Sequence, residues 1–566
     1  MTMLTLAKRW LLPTPNPQLQ VRLSNDLNIH PIIAQLLINR GIVDREEAAQ
    51  FLAGDLSNLS DPFLLKDMDK AVARIRQAQE RKETVVVFGD YDVDGVTSSA
   101  LMTQVFRKQG MKIINYIPHR MTDGYGLNHE IADLAKEQGA TLLIALDCGI
   151  TAHSEVKNLN KSGIDVVIFD HHEPPVEGIP EAVAVVNPKR KDCTYPYKNL
   201  ASVGLAAKFI HAFLGEIPAD VLDLVALGTI ADVVPLRGEN RIFVKEGLPR
   251  IRDTQNKGLA ALLDVAKIKG KDITPHYVGF ILGPRINATG RMDSAQTSLQ
   301  LFLSDNDEEA YALARSLDEH NSQRQKMQRS IAQEALSIVE REVNFKDHKV
   351  IVVGKEGWHK GVLGIVASRI TETYYRPSIV ISIKEGLGTA SARSIDGFHL
   401  HEALTYCSEI LEGYGGHKSA AGLTIREENI DSFREMINKF AEGVLQEQNL
   451  IPSVKIDCEL SLSDLNMDLI KVINTLEPYG EGNPSPVFCS RNLTVKSPPM
   501  VLGKDTLKFW VSNGQAAISA VGFGMGKYRD LVRLGEKIDL AYTLTVDDYN
   551  KAPTAQIKLK DIRQAG

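Results

Sequence analysis

Three apolar runs of this chain each stop on an aspartate: TVVVFGD (84–90), TLLIALD (141–147) and IDVVIFD (164–170). Short continuous runs of β-branched and aliphatic residues bounded by turn residues read as strands buried on both faces, which is the pattern of a parallel sheet. After the first run, GVTSSALMTQVFRKQG carries Val96, Ala100, Leu101, Val105 and Phe106 at helical spacing, so a helix follows the strand. The pattern predicts an α/β fold with acids at the carboxyl ends of its strands, which is where ligands bind in open sheets of this kind.

The first acidic turn is the densest, because GDYDVDG puts Asp90, Asp92 and Asp94 within five positions. Carboxylates that close raise each other's pKa unless solvent or a multivalent cation relieves them. A single D-x-D-x-D is an ordinary acidic turn. Here the pattern recurs: Asp147 ends the second run, Asp170, His171 and His172 end the third, and Asp232 ends the apolar segment VALGTIAD. Carboxylates mixed with imidazoles, and no cysteine cluster, suit Mn²⁺ first and Mg²⁺ second, ahead of structural zinc. The ligands outnumber what one ion needs, so two divalent cations about 3.5–4 Å apart are expected, as in phosphoryl-transfer hydrolases. Cys148 reads as a small core residue.

Together GDYDVDG, ALDCG, FDHH and GTIADVVPL resemble the DHH phosphoesterases. The likeness continues through GPRINATGRMDSA (283–295), LDEHNSQRQ (317–325), GWHKGVLGIVASR (357–369), SARSIDGFHL (391–400) and GYGGHKSAAG (413–422), and so covers nearly the whole chain. Within that superfamily the ordered series is most similar to the single-stranded-DNA-specific exonucleases. The resemblance implies a 5′→3′ exonuclease that releases 5′-mononucleotides by two-metal hydrolysis in DNA recombination and repair. Asp90, Asp92, Asp94, Asp147, His171 and Asp232 would hold the ions, and His172 would face the substrate. Arg285 and Asn287 would sit near the scissile phosphate. Ser391 and Arg393, with Arg120, are assigned to the 5′ end; Ser391, Arg393 and His417 lie among small residues that let a backbone approach a ligand closely, and His359 lies in a glycine-flanked loop feeding a helix whose free amides could hold a phosphate. A helicase and a single-stranded-DNA-binding protein are the partners implied.

Two alternatives share parts of this pattern. A DHH hydrolase of cyclic dinucleotides or short oligoribonucleotides would keep the metal residues without requiring the long bridging helix or the carboxyl-terminal barrel. A catalytically inactive DNA-binding scaffold would not require intact acids, and the acids here are intact.

At 566 residues the chain exceeds a single core, and about 150 residues per domain predicts three to four. Residues 1–50 read as an arm and short helices that pack as a lid or brace, and 51–303 as the catalytic domain. Residues 304–345 read as one long helix with apolar stripes at its ends (Tyr311, Leu313, Leu317; Ile331, Leu336, Val339) and a polar middle, a bridge that is wet at its centre. Residues 346–450 form a second α/β lobe. Residues 452–566 contain short alternating stretches such as LKFWVSN and AISAVGFG, which predict an oligonucleotide-binding (OB) barrel. Phe509 and Trp510 are its candidate base-stacking residues, and alternation makes one of them better suited to the core.

The net charge of −6 is unusual for a nucleic-acid enzyme, but two divalent ions would reduce it to about −2. Residues 454–566 carry 14 Lys+Arg against 13 Asp+Glu, so strand binding must use a shaped surface rather than a basic tail. Lys8, Arg9 and the prolines near the amino terminus argue against a membrane span or secretory signal. Five scattered cysteines fit reduced thiols. A cytoplasmic monomer is expected.

Overall fold

The computed structural model describes residues 8–119, 124, 126–547 and 553–565. They fall into two compact units, one built from residues 10–317 and 454–566, the other from 318–453 with the segment ending at Arg9.

The first unit contains the predicted parallel sheet. Its strands are β1 (Thr84–Gly89), β2 (Lys112–Tyr116), β3 (Ala140–Leu146), β4 (Asp165–Phe169) and β5 (Ala184–Val186), in the spatial order β2-β1-β3-β4-β5 and all parallel. Every residue of β1 is buried, which explains why the run is continuously apolar rather than alternating. The order reverses between β1 and β3, and that switch point is where a crevice opens outside the strand ends. Helices α1 (Val93–Lys108), α2 (Ser202–Leu214) and α3 (Leu222–Ala231) pack beside the sheet and one another, and α4 (Gly283–Met292) follows a π-helical turn over Val278–Leu282. Val93 and Val96 of α1, Ile230 of α3, and Leu282 and Ile286 around α4 share one hydrophobic core.

The carboxyl-terminal segment lies in the same unit. Strands β11 (Cys458–Glu459), β12 (Phe488–Val495), β13 (Met500–Leu502), β14 (Thr506–Ser512), β15 (Ala517–Phe523), β16 (Lys537–Asp547) and β17 (Thr554–Gln564) pair in the order β11-β12-β16-β17-β15-β14-β13. An additional pairing of β12 with β14 closes the circuit β12-β16-β17-β15-β14, so the predicted barrel is present. The amino-terminal helices brace this barrel: Leu23, Ile33 and Leu36 share a core with Phe488, Phe509 and Ile557. Buried arginines hold the segment that leads into β12. Arg40 donates to Asn483 Oδ1 (2.7 Å) and the Pro484 carbonyl (2.7 Å), and Arg241 donates to the Glu477 carbonyl (2.7 Å).

The predicted long helix is α5 (Asp307–Glu342), 36 residues and roughly 54 Å long. Ala314 and Leu317 belong to the core of the first unit, and Ile331, Ala335 and Val339 to that of the second, in agreement with anchoring at both ends. Two details differ from expectation. Tyr311 faces solvent rather than joining the stripe, and the middle is not uniformly wet, because Asn321 and Arg324 are buried and hydrogen-bonded to each other (2.9 Å). In the second unit β6 (Ile351–Glu356), β7 (Ser378–Lys384), β8 (Leu387–Arg393), β9 (Leu411–Gly416) and β10 (Ala420–Arg426) form a mixed sheet in the order β9-β10-β8-β7-β6, with α6 (Leu363–Tyr374) against it. No helix among the described residues is long and apolar enough to cross a membrane, and the five cysteines are free.

Candidate metal centre and nucleic-acid surfaces

One repeated hydrogen bond sets the level of the acids at the sheet edge. The amide of Asp90 donates to the Leu146 carbonyl (3.2 Å), that of Asp147 to Phe169 (2.9 Å) and that of Asp170 to Val186 (3.2 Å). Each pairing extends the parallel ladder by one residue, so the three carboxylates leave the sheet side by side. Asp92 caps α1, its Oδ1 accepting the amides of Asp94 (2.9 Å) and Gly95 (3.1 Å). Gly95 is required for the turn, since a Cβ there would lie 2.4 Å from the Asp90 carbonyl oxygen.

Ligand atoms of Asp90, Asp92 and Asp147 lie within 4.8 Å of one another, as do those of Asp94, His171 and Asp232, and those of Asp147, His171 and His172. His171 Nε2 is 3.3 Å from Asp147 Oδ1 and 3.6 Å from Asp232 Oδ2, so the groups form one cluster. All six residues expected to hold metal are brought together. Asp232, however, ends a helix, α3, and not a strand. Its segment is apolar on every side because α3 is buried almost throughout, and that removes the periodicity by which a helix is recognised.

The electrostatics fit cations. Burial, followed by repulsion from neighbouring aspartates, raises Asp147 well above the carboxylate range, Asp94 to about 7 and Asp232 to about 9. His171 is driven down to about 3, first by burial and then by His172, so its imidazole is neutral. Its hydrogen bond to the Leu200 backbone occupies one ring nitrogen, and the buried Nε2 makes no hydrogen bond. Asp232 Oδ2 is likewise buried with no hydrogen-bond partner. Orphaned acceptors among crowded carboxylates are costly, and hard or borderline divalent ions satisfy that donor set.

Two carboxylates make contacts that lay outside the sequence reasoning. Asp94 accepts the Ser202 amide on Oδ2 (2.7 Å) and the Val203 amide on Oδ1 (2.8 Å), anchoring the start of α2 while each oxygen keeps a second lone pair. Asp170, fully buried, accepts the Ile150 amide on Oδ2 (2.9 Å) and holds His172 Nδ1 on Oδ1 at 2.7 Å. Burial works against protonation of His172, but Asp170 and the other carboxylates outweigh it and raise its pKa. The signal for Asp170 was the Asp-His-His triplet itself. Arg285 and Asn287 ride half-buried on α4, and Arg285 Nη1 donates to the Ile281 carbonyl (2.8 Å).

In the second unit Ser391 and Arg393 sit on β8, where Arg393 Nη1 donates to Ser391 Oγ (3.3 Å) and the Ala392 carbonyl (2.7 Å). They lie against the first turn of α6, because a Cβ on Gly364 would meet Arg393 Nη2 at 2.7 Å and Ser391 Oγ at 3.0 Å. His359 Nδ1 accepts the Gly361 amide (3.1 Å) and caps the turn leading into that helix. Exposed His417 is at the end of the β9–β10 hairpin, whose Ala420 pairs with Arg393. Arg120 lies outside the described residues.

On the barrel, Phe509 is fully buried and belongs to the core, so it cannot stack on bases; Trp510 is 47 % exposed. Cross-strand pairs put Lys508 and Trp510 of β14 on one face with Phe523 of β15 and Lys558 of β17. Phe523 is 64 % exposed, with Lys558 Nζ 5.4 Å from its ring centroid. Strand alternation in AISAVGFG was the only sequence signal for it.

Three family models match the chain in order: the DHH family, N-terminal domain, over residues 84–229, the DHHA1 domain over 347–443, and the RecJ OB domain over 456–561. The single-stranded-DNA-specific exonuclease RecJ of Bacillus subtilis is 39% identical across 99% of this chain and 71% of its own length, and that of Escherichia coli is 33% identical across 94% and 96%. The chain belongs to the RecJ family. Its fold also matches the crystal structure of Thermus thermophilus RecJ in complex with Mn²⁺, with a TM-score of 0.84 at 29% identity over 99% of this chain and 80% of that one. A second Thermus RecJ structure is a complex with Mg²⁺. A metal-dependent nuclease of the RecJ family accounts for both the acid cluster and the barrel.

Proposed function

We propose that this protein degrades single-stranded DNA from its 5′ end, releasing 5′-mononucleotides, in DNA recombination and repair. The observation that carries the reading is the cluster of Asp90, Asp92, Asp94, Asp147, His171 and Asp232 at the sheet's switch point, with the orphaned Nε2 of His171 and Oδ2 of Asp232 inside it. Those six residues hold the cations. When bound, two divalent ions, Mn²⁺ first and Mg²⁺ second, offset charge on the phosphoryl oxygens and lower the pKa of water.

The chain's own groups supply the rest. Asp170 fixes His172 through Nδ1 and favours its protonated form, so the other ring nitrogen donates to a phosphoryl oxygen as negative charge grows there. Arg285 and Asn287 orient the scissile phosphate from α4. Ser391 and Arg393 recognise the 5′ end with Arg120, assisted by His359 and His417. Trp510 and Phe523 stack on the strand's bases, with Lys508 and Lys558 facing its phosphates. The same reading divides the chain at residues 50, 303, 345 and 451, and makes it a cytoplasmic monomer working with a helicase and a single-stranded-DNA-binding protein.

The test is nucleotide release from labelled single-stranded DNA with Mn²⁺ and with chelator. Metal-dependent release of mononucleotides is expected. Hydrolysis confined to cyclic dinucleotides or short oligoribonucleotides, or strand binding without hydrolysis, would overturn the reading.

A further inference from the structure

The most exposed phenylalanine among the described residues precedes α4. Phe280 is 73 % exposed, on the π-helical turn Val278–Leu282 that leads directly into α4. Its ring is backed by His276, with centroids 4.8 Å apart and planes 32° apart. Val233, the residue after Asp232, is 66 % exposed and held at φ 62°, a conformation that β-branched residues rarely adopt. Phe280, His276 and Val233 line one cavity of about 670 Å³, completed from the barrel side by Glu477, Tyr479 and Glu481.

We propose that Phe280, backed by His276, is a stacking platform for one base of the substrate strand, in the cavity that Val233 also lines. The inference rests on the single-stranded-DNA reading above and adds a contact to it. Three observations favour a nucleobase as the occupant. The platform borders the cluster along the chain: Val233 follows Asp232, and the carbonyl of Ile281, the residue after Phe280, accepts from the Arg285 guanidinium. The cavity has the volume of a small-ligand pocket and a flat aromatic wall, which any base can cover because every base has a π face. Its two glutamates repel phosphate, so a strand passing here must turn its backbone away and its base inward, where carboxylate oxygens can accept from exocyclic amino groups.

The experiment places an abasic nucleotide at successive positions of a 5′-labelled single strand and measures kcat/KM with Mn²⁺ for the wild type, Phe280→Ala and Phe280→Trp. In the wild type one position should show a loss of about tenfold, within the range of one base–aromatic stack. Phe280→Ala should lose about the same factor on the intact strand and show no further penalty at that position, while Phe280→Trp retains the wild-type pattern. A scan without a position-specific penalty, or an equal penalty in the wild type and Phe280→Ala, overturns the platform. Identical turnover of every strand by both proteins does the same and assigns the face to a protein partner. Absence of single-strand hydrolysis by the wild type overturns the parent reading, a result distinct from all of these.

Discussion

Asp94 Oδ1 accepts the amide hydrogen of Val203 at 2.8 Å, so an acid of the metal cluster also serves as the anchor of α2. The two duties separate in mutants. Asp147→Asn should abolish nucleotide release in Mn²⁺ and leave the chelated protein about as stable as the wild type, because burial and its acidic neighbours already hold that carboxyl in its neutral form and asparagine tolerates the left-handed backbone at position 147. Asp94→Asn should abolish release as well, but it turns a donor toward a backbone N–H and should cost about 1–3 kcal/mol of stability. Urea unfolding in chelator, alongside the nuclease assay, separates them. Equal stability of the two variants would sink the anchor, and normal turnover by Asp147→Asn would sink the cluster.

Metal removal should make stability depend on pH with a definite sign. Asp232, raised to about 9, and Asp147, raised well above the carboxylate range, keep protons in the folded chain that they lose when it unfolds. A carboxyl whose folded pKa is raised contributes stability below its unfolded value, and that contribution is lost as pH climbs through the folded pKa. His171, lowered to about 3, acts in the opposite direction but only below its unfolded pKa near 6.5. Between about pH 7 and 9 His171 is silent, the acids act together with His172, whose raised pKa has the same sign, and the melting temperature in chelator should fall as pH rises, with Mn²⁺ flattening the slope. A chelated protein that melts at the same or higher temperature at pH 9 than at pH 7 would contradict the assignment.

On the barrel, neighbouring aromatics should separate stability from binding. Phe509→Ala removes a fully buried ring and should cost about 3–5 kcal/mol of stability. Trp510→Ala should leave the melting temperature nearly unchanged and weaken binding to long single strands by about 1–3 kcal/mol, with little effect on cleavage of short ones. Calorimetry and strand-binding anisotropy check the pair. Unchanged affinity in Trp510→Ala would move the nucleic-acid face elsewhere.

What could be read in the sequence was local. The buried strands, the acids that end them and the alternation in LKFWVSN all lie within single segments, and a period of two or an unbroken apolar run is visible there. Long-range partnerships were not. Leu23 and Phe488 meet in one core although 465 positions separate them, and nothing in the short amino-terminal helices marks the barrel as what they brace. The Asp94 anchor depends on amides 108 and 109 residues away. Asp232 could be chosen as a ligand but not placed on a helix, because α3 is apolar on all sides. The buried Asn321–Arg324 pair inside the polar stretch of α5 was hidden for the opposite reason, since polar residues carry no sign of burial until their partners are known.

Strand polarity rests on Arg393, because a two-ion centre is indifferent to direction and a group that recognises one terminus must impose it. Arg393 and Ser391 reach the first turn of α6 because position 364 has no side chain. Guanidinium forks and the amides at a helix start both suit a terminal phosphate. Degradation should therefore run 5′→3′, and Arg393→Ala should lose its preference for a 5′-phosphorylated end by a few kcal/mol at most, about the strength of a charged hydrogen bond. Gly364→Ala supplies a second test. Its methyl group would stand 2.7 Å from the far end of the flexible Arg393 side chain and push it aside, while alanine suits a helix better than glycine, so end preference should drop without loss of stability. Single strands labelled at either end, with and without a 5′ phosphate, show which terminus releases the first mononucleotide. Release beginning at the 3′ label would refute the polarity, and a 5′-phosphate preference that survives both substitutions would move recognition away from this pocket.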